Sequence, residues 1–154
     1  MTVDPVEAAA FLNTTRDPWS RAMCIQYTHV SRDEVRADVT INETHWQGYG
    51  IVHGGVHSGV IETIASVGAA VDQLPAGRSV VGLENHTSFV RAVRGGTLHA
   101  TAKPITRGKR SQLWEGTIVD ADGKIVATGR VRLLCLEPDA ALAGEKPSAK
   151  LPSE

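Results

Sequence analysis

The segment 55–72 carries Val56, Val60, Ile61, Ile64, Val67 and Val71, contains no Lys or Arg, and is followed by Pro75 and Gly77. That pattern predicts one long helix with stop signals just beyond its end. A helix that is apolar on most sides belongs inside a protein. The chain has 154 residues, the length of one domain. The helix must therefore be covered by the rest of that domain.

Strands are what the flanking sequence offers. Val35, Ala37, Val39 and Ile41 alternate with Arg36, Asp38 and Thr40, a half-buried strand by its period of two. Residues 24–30 pair with it across the polar turn Ser31, Arg32, Asp33. Residues 116–119 and 124–127 flank Asp120, Ala121, Asp122 and Gly123, a strong hairpin signal. Val131, Leu133 and Cys135 extend the last strand, and 79–90 and 97–105 read as two more, separated by Gly95 and Gly96. The expected class is α+β, with about six mostly antiparallel strands wrapped around one central helix. Asp4, Pro5 and Glu7 start a short N-terminal helix reaching about Asn13. The expected division is an N-terminal segment 1–18, a folded domain 19–136 and a flexible tail 137–154, the last rich in proline and charge.

Charge and cysteine content narrow the function classes. The net charge is −1, which suggests neither a nucleic-acid partner nor a membrane surface. No stretch nears the roughly 20 apolar residues of a membrane span, and the N-terminus lacks a basic signal-peptide start. Cys24 and Cys135 make no disulfide framework. Cys135 reads as a buried thiol, compatible with a reducing cytoplasm. The expectation is a soluble cytoplasmic protein.

The chemistry is concentrated on the helix and the loop before it. Ser58, Glu62 and Ser66 are spaced four apart and share one face, with Gly55, Gly59 and Ala69 close to the same stripe. Small residues let another group approach closely, and a carboxylate placed there is partly desolvated, which sharpens it as a base. An exposed glutamate on an amphipathic helix is the ordinary alternative. Glu62, however, is the only charged residue of the helix before Asp72. Ahead of it, residues 47–55 run from Gln47 through glycines to His53, Gly54 and Gly55. Free N–H groups and the positive dipole end at a helix start can bind phosphate or hold a developing oxyanion. The loop fits neither a P-loop nor a dinucleotide fingerprint.

His53, Gly54 and Gly55 followed by a buried helix with Glu62 resemble hotdog-fold acyl-CoA thioesterases of the phenylacetate-pathway (PaaI-like) type. The spacing is similar: Gln47 lies seven before Gly54 and Glu62 eight after it. The resemblance continues through 81–91, 95–98, 107–109, Trp114 and Glu115, covering roughly 24–136. It implies hydrolysis of an acyl-CoA thioester to free acid and CoA, without a cofactor. Gly54 N–H would hold the oxyanion, Gln47 and His53 would orient or polarise the carbonyl, and Glu62 would act as general base or nucleophile. Ser66 would help hold the water or the acyl group. It further implies a homodimer or homotetramer, with the active site at the subunit interface. Some relatives carry a polar residue near Phe89 and Val90, whereas this chain is apolar there, which favours an apolar acyl group.

Other residues have plainer readings. His53 and His57 are four apart but lack a third ligand, so no metal site is expected. Trp46 and Trp114 read as packing residues, with Trp46 able to border the acyl pocket. Arg91, Arg94, Arg107, Lys109 and Arg110 form a basic set in a near-neutral chain. Arg91, Arg107, Gly108 and Lys109 are the candidates for CoA binding, through its phosphates. Two competing functions share the fold. A hotdog hydratase or dehydratase needs a carboxylate–histidine pair at adjacent carbons. A non-catalytic acyl-CoA binding module has no use for a desolvated carboxylate.

Overall fold

A computed structural model describes residues 4–147. The chain order is α1 (Pro5–Thr14), α2 (Pro18–Ala22), β1 (Ile25–Val30), β2 (Val35–Thr40), α3 (Gly54–Gln73), β3 (Val80–Phe89), β4 (Thr97–Arg107), β5 (Ser111–Val119) and β6 (Ile125–Cys135). The six strands form one sheet in the order β1-β2-β4-β5-β6-β3, and every pairing is antiparallel. The chain leaves β2 on one side, runs through α3, and re-enters the sheet at its far edge as β3. The sheet wraps the helix, as the alternation and the apolar segment together predict. This is the hotdog arrangement.

The seating of α3 depends on matched large and small side chains. Ile61, Ile64, Ala65 and Ala69 are fully buried against the sheet, and each isoleucine contributes roughly 1.5–3 kcal/mol by leaving water. A Cβ added at Gly68 would lie 2.3 Å from the ring of Trp114, itself fully buried on β5. Opposite, a Cβ at Gly116 would lie 2.7 Å from Ile61. Each bulky side chain fills the space a glycine leaves, which brings helix and sheet close together. The end of α3 is held by polar contacts. Trp114 Nε1 donates to Gln112 Oε1 at 2.7 Å, and Gln112 Nε2 donates to Asp72 Oδ2 at 2.7 Å. An acid at a helix C-terminus opposes the dipole. Arg32 offsets this with an ion pair to Asp72 at 2.7 Å.

The hairpin expected between β5 and β6 forms as its residues require. Asp120 Oδ1 accepts from the N–H groups of Asp122 and Lys124. Gly123 takes φ +77, the left-handed conformation that glycine adopts without strain. β5 begins at Ser111, five residues before the expected start, because Gly108 N–H closes a turn on the Ser111 carbonyl at 2.9 Å. The N-terminal segment docks on β1. Asn13 bonds both the N–H and the carbonyl of Tyr27, at 2.9 and 2.8 Å, and Arg16 donates to the Ile25 carbonyl at 2.7 Å. Of the segment expected as a tail, Glu137 pairs with Arg78 at 2.9 Å, and residues 138–146 are mostly exposed. The remainder, 148–154, falls outside the described residues, as do residues 1–3.

Candidate active site

Glu62 lies on the face of α3 turned away from the fully buried residues. It lines an open cleft of about 610 Å³ with Ser58, Ser66, Asp17, Trp19 and Tyr27. Ser58, Glu62 and Ser66 share this cleft as their spacing predicts, whereas Ala69, expected near the same stripe, is fully buried. Strand β3 holds the carboxylate from the other side. A Cβ at Gly82 would sit 2.8 Å from Glu62 Oε1, so glycine there leaves room for the acid. Asn85 Nδ2 donates to the Ser58 carbonyl at 2.9 Å and, more distantly, to Glu62 Oε2 at 3.4 Å. Thr87 Oγ1 fixes the amide by donating to Asn85 Oδ1 at 2.7 Å. Burial pushes the Tyr27 hydroxyl up to about 12, so it enters the cleft as a neutral phenol.

The loop before α3 presents hydrogen-bond donors. His53 is the N-cap of α3, and its Nδ1 accepts from Gly55 N–H at 2.8 Å. With Nδ1 accepting, a neutral ring carries its proton on Nε2. Gln47 Oε1 accepts from Tyr49 N–H at 2.6 Å, which leaves its NH₂ group to donate. The Gly54 N–H has no hydrogen-bond partner among the described residues. Gln47 and Gly54 line a second cleft of about 320 Å³ with His57, Phe89, Val90 and Arg91. Phe89 closes over Gly54, where an added Cβ would lie 2.7 Å from its ring. Arg94 clamps the loop, its Nη1 donating to the carbonyls of Tyr49 and Gly50. Trp46, expected as a possible border of the acyl pocket, is a brace: its Nε1 donates to the Arg94 carbonyl at 2.7 Å.

The basic set does not gather at one place within a protomer. Arg91 follows β3 and lines the cleft at the N-terminal end of α3. Arg107 lies at the other end, bonded to the Arg32 carbonyl and Asp33 and 3.9 Å from Asp72. The Gly54–Asp72 separation along α3 is roughly 27 Å at 1.5 Å per residue. Gly108 is needed by the β4–β5 turn, since a Cβ there would meet the Ser111 carbonyl at 2.8 Å. Lys109 gives its carbonyl to Arg78 and is otherwise exposed.

Several residues near these clefts, among them Asn85, Thr87 and Trp19, carry no role in the sequence analysis. Asn85 and Thr87 face inward on β3, and two polar side chains at a spacing of two on a covered strand face are the signal that could have found them. Trp19 gave no periodic signal. His57 is 4% exposed, and burial lowers its pKa. No group of three metal-ligating side chains occurs among the described residues, and no described helix is long and apolar enough to cross a membrane.

A sheet wrapped on a helix whose cleft face carries one carboxylate, preceded by a donor-rich glycine loop, defines a hotdog protein. The family model of the thioesterase superfamily matches residues 49–127. A Mycobacterium tuberculosis protein named as an esterase, Rv1847/MT1895, is 41% identical over 133 residues, covering 85% of this chain and 94% of its own. Its solved structure aligns with a TM-score of 0.77 over 79% of this chain and 98% of that one. The Haemophilus influenzae thioesterase HI1161 aligns with a TM-score of 0.79 at 25% identity, over 91% and 95% of the two chains. The Escherichia coli 1,4-dihydroxy-2-naphthoyl-CoA hydrolase is 31% identical over 107 residues, 70% of this chain and 78% of its own. The chain belongs to the thioesterase superfamily, and its chemistry is thioester hydrolysis.

Proposed function

We propose that this chain hydrolyses an acyl-CoA thioester, with Glu62 as general base or nucleophile and Gly54 N–H as oxyanion donor. The observation that carries the reading is the placement of Glu62. It is the one carboxylate of its helix face, between two serine hydroxyls, and β3 leaves a glycine gap for it. As a base, Glu62 takes a proton from water while the water oxygen attacks the thioester carbon. As a nucleophile, it forms a mixed anhydride that water then opens. On either route the carbonyl oxygen becomes negative against Gly54 N–H, with Gln47 and His53 as further donors. Collapse expels the CoA sulfur, which leaves as thiol after taking a proton. Ser66 helps hold the water or the acyl group.

Distance supports a site shared between subunits. Gly54 and Glu62 are eight residues apart on one helix, about 12 Å along its axis. That separation is well beyond the roughly 3 Å of one hydrogen bond, which favours a base and oxyanion donors drawn from different chains. Two copies of α3 running in opposite directions would bring the loop of one opposite Glu62 of the other. β3 is a sheet edge with exposed Leu83 and Phe89, a surface suited to such pairing. A homodimer, or a homotetramer built from it, is the expected assembly. Of the candidate CoA cations, Arg91 and Lys109 carry no ion pair among the described residues and can meet CoA phosphates, and the unpaired Cys24 and Cys135 suit a cytoplasmic setting.

A panel of acyl-CoA and acyl-carrier thioesters, read by released thiol, tests the function. Acyl-CoA turnover by an enzyme that sediments as a dimer or tetramer is expected. Tight acyl-CoA binding with no thiol released would replace hydrolysis by the binding-module reading.

A further inference from the structure

We propose that Trp19 sets the upper limit on acyl bulk in the Glu62 cleft. The inference rests on the reading above, that the acyl group enters this cleft. Trp19 is the second residue of α2, and its ring lies directly on α3 at Gly59. A Cβ at position 59 would be 2.4 Å from Cζ2 and 2.6 Å from Cη2 of the indole. Gly59 is the helix residue after Ser58 and one turn before Glu62, so the ring is seated beside the reacting groups. The seat requires glycine, because any side chain there would lift the ring from the helix. Trp19 remains 39% exposed, and it lines the cleft together with Tyr27, Thr63 and Val67. The indole, the Tyr27 ring and Val67 supply the apolar part of the space beside the carboxylate.

The wall is fixed in place. Asp17 caps α2, accepting from Ser20 N–H at 3.0 Å and Ser20 Oγ at 2.5 Å. Burial alone would raise the Asp17 pKa, but these bonds outweigh it and lower the value, which keeps the cap ionised. The Asn13–Tyr27 pair and the Arg16–Ile25 bond tie the same segment to β1. Trp19 and Tyr27 also precede residues 49–127, which carry the family match. Trp19 and Tyr27 thus lie apart in the chain from the groups proposed for chemistry, Gln47 to Ser66, although Thr63 and Val67 share α3 with Glu62. Acyl preference can change at Trp19 without disturbing Glu62 or the donor loop.

The test compares wild type, Trp19→Phe and Trp19→Ala on straight-chain acyl-CoAs from acetyl to dodecanoyl and on benzoyl-CoA and naphthoyl-CoA. Removing the indole should raise kcat/KM for the largest acyl groups relative to the smallest by about tenfold or more, the scale of one or two methylenes in an apolar pocket. Trp19→Phe should fall between the two, and it keeps a ring on Gly59 if the alanine variant does not fold. An unchanged profile in both variants, with hydrolysis intact, would overturn this inference alone. No hydrolysis of any acyl-CoA by the wild type would overturn both it and the acyl-CoA reading.

Discussion

The two faces of α3 are built from the same kinds of small and apolar residues, yet they do opposite work. On the sheet face, Gly68 exists because Trp114 fills the space beside it. On the cleft face, Gly59 serves as a seat for Trp19, and the neighbouring residues are Ser58, Glu62 and Ser66. A glycine on a helix is therefore not one signal. Its meaning depends on whether the group that approaches it belongs to the core or borders the site. Substitutions on the first face should cost stability, and those on the second should cost turnover.

The largest expected effect is on the cleft face. Glu62→Gln keeps size and hydrogen bonding while removing the charge, and a neutral amide is cheaper to cover than a carboxylate. Turnover should fall by about 10²–10⁴-fold, the share of a positioned acid–base group, with the thermal midpoint unchanged or slightly higher. A near wild-type kcat would place the chemistry elsewhere on the loop. Gly68→Val makes the reverse case. Its side chain would strike the fully buried Trp114 and should destabilise by about 1–3 kcal/mol, measured as a lower urea midpoint. The folded fraction should retain its kcat.

How far the sequence carries this division can be seen in particular residues. The period of four placed Ser58, Glu62 and Ser66 on one face, and the absence of Lys and Arg showed that the helix is covered. Both are local properties of one segment. What covers the cleft was not legible, because Trp19 and Asn85 reach it from elements distant in sequence. Arg107 illustrates the same limit. Its charge suggested phosphate binding, but Arg32, Asp33 and Asp72 meet it only after β1, β2, α3 and β4 have assembled. The early start of β5 depends likewise on a turn bond between Gly108 and Ser111.

Two smaller effects sharpen the contrast. Asn85→Ala removes the amide that bridges Ser58 and Glu62. One hydrogen bond contributes about 0.5–1.5 kcal/mol, so kcat should fall roughly two- to tenfold with a smaller change in KM. A loss as large as that of Glu62→Gln would mean that Asn85 itself reacts. The smallest effect concerns pH. Burial holds the His57 imidazole below its ordinary pKa, so the unfolded chain binds a proton near pH 6.5 that the folded chain takes up only at lower pH. His57 thus favours folding fully above about pH 6.5, and that contribution is lost as pH falls through the folded value. The thermal midpoint should drop between pH 7.5 and 5.5, and His57→Gln should flatten that slope. A slope unchanged by the substitution would assign it to other groups.

The central claim is that Glu62 of one subunit acts opposite the Gln47–Gly54 loop of another, and a mixed oligomer tests it most directly. Glu62→Gln and Gln47→Ala chains, carrying different tags, would be co-expressed and the doubly tagged heterodimer isolated. In a two-fold assembly one of its two sites combines an intact Glu62 with an intact loop, and the other lacks both. The account predicts about half of the wild-type rate per dimer, well above either parent homodimer. A heterodimer no more active than the mean of its parents would contradict it and place Glu62 and its donors on the same chain.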